Sequence, residues 1–87
     1  MKLKYRIQVQ KVVDNVICVC KNFDTDIPER VIRINDTSAD ILHLIEGGLD
    51  EDAVVNKMKE MYQGNEEAIT IDTCDFIKQL KDLKIID

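Results

Sequence analysis

The apolar pattern changes period at Asn35, and this change limits the folds open to the chain. Before it, Leu3, Tyr5, Ile7 and Val9 alternate with Lys4, Arg6, Gln8 and Gln10, which puts the apolar side chains on one face of a strand. Val16-Ile17-Cys18-Val19-Cys20 is a β-rich run, apolar on both faces. Residues 5–13 and 16–21 are predicted to pair as a hairpin turning at Asp14-Asn15, residues that tolerate left-handed backbone. Asn22 to Glu29 is polar, contains Pro28 and reads as a loop, and Arg30-Val31-Ile32-Arg33-Ile34 reads as a third strand.

Beyond Asn35 the apolar spacing becomes three and four. Thr37-Ser38-Ala39-Asp40 fits a capping box, with Ile41, Leu42 and Ile45 as the apolar face of a first helix that stops at Gly47-Gly48. Asp50 is a suitable N-cap for a second helix, with Glu51 and Asp52 in its first turn and Leu49 and Val54 placed as a hydrophobic staple. Val54, Val55, Met58, Met61 and Tyr62 line one side, and Gly64-Asn65 ends it. A third helix is predicted from Thr70 to Asp72 onward, with Phe76, Ile77, Leu80 and Leu83 as its stripe, followed by an extended Ile85-Ile86 tail. Three strands followed by three helices imply an α+β domain with the helices on one sheet face. At 87 residues, the expected organisation is one domain, 1–87, with one core.

Charge follows the same division. The net charge is −5, but residues through Asn35 carry +3 and the remainder −8. This balance disfavours the basic footprint of a nucleic-acid binder. No apolar run approaches the roughly 20 residues of a membrane helix, and the N-terminal residues lack the apolar stretch of a secretory signal. Three cysteines do not form a disulfide framework, so a cytoplasmic location is expected.

Catalytic and metal signatures are missing. Cys18-Val19-Cys20 would be half a metal site, but its spacing is short and no second pair exists, so both read as small buried hydrophobes. The single histidine, His43, stands one turn after Asp40 on a helix, and nothing in the spacing couples it to Cys74. Asp50, Glu51, Asp52, Glu66 and Glu67 lack the alternation and central glycine of a calcium loop; the last two read as a solvated loop. Met58 and Met61 sit at helical spacing and read as core. No catalytic residue, metal or cofactor is expected, and the chain is not read as an enzyme. A three-stranded sheet does leave exposed edges, and Arg30–Ile34 beside an amphipathic helix would accept an extended peptide through main-chain hydrogen bonds.

The run from Arg33 to Gly48, with its Asn35-Asp36-Thr37 block, Ile41-Leu42 and glycine-ended helix, resembles the PqqD family. Ala53-Val54-Val55 to Met61-Tyr62 resembles that family's second helix, and Asp72 to Ile86 its closing helix and apolar tail. The sequence departs where the family often has Gly, at Lys84, and in the length and acidity of Asn22–Glu29. The resemblance implies a winged helix-turn-helix domain that recognises ribosomally made, modified peptides. It holds the precursor's leader as an added strand between the third strand and third helix, and presents the rest to a modifying enzyme, often a radical-SAM protein. Carried over by position, the third strand is Arg30 to Ile34 and the third helix about Asp72 to Leu83, which makes Arg30, Val31, Ile32, Arg33 and Ile34 the expected peptide-binding strand; on the helix, Phe76 and Leu83 near one edge of the apolar stripe, with Gln79 beside them, are the expected groove wall. Ile32 and Ile34 share one face, Val31 and Arg33 the other, and Arg30 and Arg33 would favour an acidic leader. Two alternatives stand beside this reading. One is a winged-helix DNA-binding regulator using Lys78, Lys81 and Lys84, opposed by Asp72, Asp75 and Asp82. The other is an accessory subunit binding a folded enzyme.

Overall fold

Alternation in the first strand is matched residue by residue across the sheet. A computed structural model describes all residues, Met1–Asp87. Strands β1 (Arg6–Val12), β2 (Asn15–Lys21) and β3 (Pro28–Ile34) form an antiparallel sheet in the order β1-β2-β3. Ile7 and Val9 lie opposite Cys20 and Cys18, which in turn face Arg30 and Ile32. The inner face of β2 therefore carries Val16, Cys18 and Cys20, all buried.

The hairpin turns at Val13-Asp14, not at Asp14-Asn15; Asn15 already pairs with Val12. The expected turn would place Ile7 opposite Asn22 and the exposed Lys11 opposite the fully buried Cys18. The observed register sets Ile7 and Val9 against the two cysteines, so core packing overrides turn preference. Its consequence is a left-handed φ of 57° at Val13, a conformation unfavourable for a β-branched residue. β3 starts two residues earlier than expected, with a bulge at Glu29 where Lys21 pairs with Pro28 and Cys20 with Arg30. The intervening Asn22–Ile27 loop closes on itself through an Asn22 N–H to Ile27 carbonyl bond of 3.0 Å.

Three helices follow: α1 (Asp36–Glu46), α2 (Glu51–Met61) and α3 (Glu66–Asp82). The cap of α1 is Asn35, not Thr37: its side-chain oxygen accepts from the Ser38 N–H at 2.8 Å. Asn caps better than Thr and stands directly at the end of β3, so the helix begins without a linker. Asp50 caps α2 as expected. α3 begins at Glu66, earlier than predicted. Asn65 caps it by accepting from Ala68, and Glu66 and Glu67 lie in its first turn, where carboxylates favour the helix dipole. The β-branched residues Ile69, Thr70 and Ile71 hid this turn, because their helix propensity is low.

Two helix ends share one motif with different residues. At the end of α1, Gly48 (φ 95°) bonds to the Ile45 carbonyl and Leu49 to that of Leu44. At the end of α3, Lys84 (φ 60°) bonds to Lys81 and Ile85 to Leu80. Both are Schellman caps with a left-handed residue just past the helix. Lys84 pays the steric cost that Gly48 avoids, which explains why glycine suits this position in the related pattern. Lys84→Gly is expected to stabilise the domain by about 0.5–1 kcal/mol and raise Tm by a few degrees; an unchanged or lower Tm in thermal unfolding would contradict this cap.

Helices, tail and sheet converge on one core. Cys18 and Cys20 from the sheet meet Ile41, Leu42 and Ile45 of α1, Val54 and Met58 of α2, and Ile77 and Leu80 of α3. Ile85 and Ile86 complete it, and Leu3 bridges to Ile86 to fix the tail against the N-terminal arm. Met61, expected in the core, lies at its edge and is exposed. The Cys18 thiol is pushed up by its hydrogen bond to Cys20 and by burial, so it remains neutral.

Candidate functional site

β3 is an edge strand, and its outer flank has no partner within the chain. Its backbone pairs with β2 alone, and none of the bonds formed outside the regular elements involves residues 28–34. Alternation divides its side chains as expected. Ile32 and Ile34 are half-buried and pack on the core, while Val31 and Arg33 are exposed on the outer sheet face.

The two arginines part company. Arg33 donates to the side-chain oxygen of Asn15 on the outer face. Arg30 lies on the inner side, half-buried, and donates to the backbone carbonyl of Leu83 at the end of α3. The period of two thus puts the two arginines on opposite faces of the strand, with only Arg30 on the inner side. The Leu83 carbonyl uses one donor of a guanidinium that carries five, so Arg30 can hold α3 and still meet an acidic group.

Across from β3, Phe76 and Leu83 are half-buried against the core and Gln79 is exposed. Phe76 and Gln79 also line a cleft of about 440 Å³, completed by Asn35, Thr37, Ser38, Ile41, Asp72 and Asp75. This cleft begins where β3 ends, because Asn35 directly follows Ile34. The structure thus brings Arg30, Ile32, Ile34, Phe76, Gln79 and Leu83 to one side. It directs the side chains of Val31 and Arg33 away.

Asn35, Thr37, Ser38, Asp72 and Asp75 carry no site signal in the sequence: Thr37 and Ser38 read as a helix start, Asn35 and Thr37 as the block that carries the family resemblance, and more than thirty residues separate them from the two aspartates. Thr37 and Asp40, expected to cap α1, instead belong to a junction with α2. The Tyr62 hydroxyl donates to the Asp40 carboxylate, and this bond holds the phenol above its ordinary pKa.

The hollow over β1 and β2 is a poorer place for a ligand: it is lined by Arg6, Gln8, Lys21 and Asp26, with Ile7 its single apolar residue, and Arg6 is already paired with Asp26. Beside β3, by contrast, Ile32 and Ile34 of the strand and Phe76 and Leu83 of α3 pack against the same core, and Arg30 ties the strand to the end of α3. No cluster of three or more His, Cys, Asp or Glu side chains is arranged to hold a metal ion, and no helix is long and apolar enough to cross a membrane.

Sheet order, helix order and the open third strand define a winged helix-turn-helix domain of the α+β class. The chain belongs to the PqqD family: the family model for coenzyme PQQ synthesis protein D (PqqD) matches residues 25–86, from the β2–β3 loop through the tail. Its fold is that of TbiB1, solved in complex with the TbiA(beta) leader peptide. That similarity covers 100% of this chain and 95% of the other at 17% sequence identity, with a TM-score of 0.71. No curated protein matches the chain.

Proposed function

We propose that this protein binds the leader segment of a ribosomally made precursor peptide as an added strand along β3. It presents the remainder to a separate modifying enzyme, of the radical-SAM type, and performs no catalysis itself. The observation that carries this reading is the unpaired flank of β3 beside Ile32, Ile34, Phe76 and Leu83. Main-chain bonds along the strand supply affinity without regard to sequence, and the apolar side chains beside it fix the register. Val31 and Arg33 take part through their backbone alone. Membership of the PqqD family and the leader peptide held by TbiB1 support the same occupant.

The test is titration of the isotope-labelled chain with the leader peptide encoded by a neighbouring short reading frame. Backbone amides of Arg30–Ile34 are expected to shift and to gain protection from exchange, while those of β1 stay in place. Unmoved Arg30–Ile34 amides at saturating peptide would show that the added-strand site is wrong.

A further inference from the structure

The cleft at the end of β3 has a charge opposite to that of Arg30. Asp72 and Asp75, one turn apart on α3, both face it, and neither forms a salt bridge. Asp36, in the first turn of α1, stands between Asn35 and Thr37, which line it, and adds a third acidic residue to this part of the chain. The N-terminus of α1 opposes these with about half a positive charge, too little to offset two or three full negative ones. Phe76 and Ile41 form the apolar part of the lining.

A second feature marks the cleft as built to meet a ligand. Ser38 is only 9% exposed, yet its hydroxyl forms no hydrogen bond within the chain; its backbone N–H donates to the Asn35 side-chain oxygen. No fully enclosed side-chain polar atom lacks a partner. The Ser38 oxygen is therefore not sealed inside the protein but opens on the cleft that this residue lines. A donor entering the cleft can therefore bond to this hydroxyl in place of water.

We infer that the cleft receives a lysine or arginine side chain of the same bound peptide, so that the protein selects leaders carrying opposite charges at a fixed spacing. This rests on strand addition along β3. The cation would meet the Asp72 and Asp75 carboxylates and the Ser38 hydroxyl, with its alkyl stem along Phe76. At the other end, Arg30 receives an acidic residue. Strand geometry sets the interval: four residues from Arg30 to Ile34 span about 13 Å. The basic residue therefore lies about four to six positions from the acidic one. Arg30, near the start of β3, and the two aspartates, beyond its end, set the two charges that such a leader must match.

Selection of a random dodecapeptide display library on the full 87-residue chain tests this, with Asp72→Asn/Asp75→Asn and Asp75→Lys selected in parallel. Wild type is expected to enrich peptides with a basic residue at one fixed distance from an apolar core. The double variant should keep the apolar core and lose the basic position, and Asp75→Lys should replace it with an acidic one. The best wild-type peptide should bind the double variant about 5–20-fold more weakly and with less dependence on salt. Apolar enrichment with no basic position, or a basic position retained in the double variant, overturns the inference and leaves strand addition standing. No enrichment on wild type overturns both. Circular dichroism confirms folding of each variant, and the single Asp75→Asn change repeats the comparison at half the charge loss.

Discussion

A chain shortened to end at Lys84 is expected to lose its cooperative fold at 25 °C. Ile85 and Ile86 are 0% and 1% exposed, and both belong to the central core. Replacing one buried isoleucine by alanine costs about 2–5 kcal/mol, so removing two costs on the order of 4–10. A chain of 87 residues has a total stability of about 4–13 kcal/mol. The backbone loses support as well. The Ile85 N–H completes the cap of α3, its carbonyl accepts from Lys4 at 2.9 Å, and the Asp87 N–H donates to Lys2. The tail is thus the piece that joins the last helix to the N-terminal arm. Far-UV circular dichroism and urea titration check this expectation. A truncated chain that unfolds cooperatively, with a midpoint near that of the full chain, would show that the tail is an accessory. Ile85→Ala and Ile86→Ala should each give a folded but weakened protein, separating lost packing from lost connection.

The tail was legible because two adjacent isoleucines after a helix have few places to go in a small protein. Element types followed from periodicity for the same reason. A period of two before Asn35 and of three to four after it can be satisfied only by strands and then helices. What periodicity could not supply was the competition between local preferences and the core. Asp14-Asn15 is the better turn by composition, but the register that seats Ile7 and Val9 against Cys20 and Cys18 places Val13 in it. Asn65-Glu66-Glu67 is a sound helix start, masked by the β-branched residues after it. At the site, the open edge and the faces of β3 were readable from alternation. The acidic cleft was not, since it exists only once the start of α1 is packed beside the middle of α3.

Phe76→Ala is expected to weaken leader-peptide binding by about 10–100-fold, corresponding to roughly 1.4–2.8 kcal/mol for an aromatic anchor. Phe76 is half-buried against the core on α3 and also lines the cleft at the end of β3. It is therefore placed to bury peptide side chains at the junction of strand and cleft. Val31→Ala and Arg33→Ala provide the contrast. Val31 is 60% exposed on the outer sheet face, and Arg33 is engaged there with Asn15. Their backbones remain available after substitution, so each should change affinity by no more than about twofold. Isothermal titration with one leader peptide compares all three on equal terms. Phe76→Ala also removes half-buried area, so the measurement belongs well below its melting temperature, with Gln79→Ala as an exposed variant that should bind a few-fold more weakly while keeping its stability. Equal losses for Val31→Ala and Phe76→Ala would place the peptide on the outer face of the sheet. A Phe76→Ala protein that binds as well as wild type would remove α3 from the site and leave main-chain pairing along β3 to supply the affinity alone.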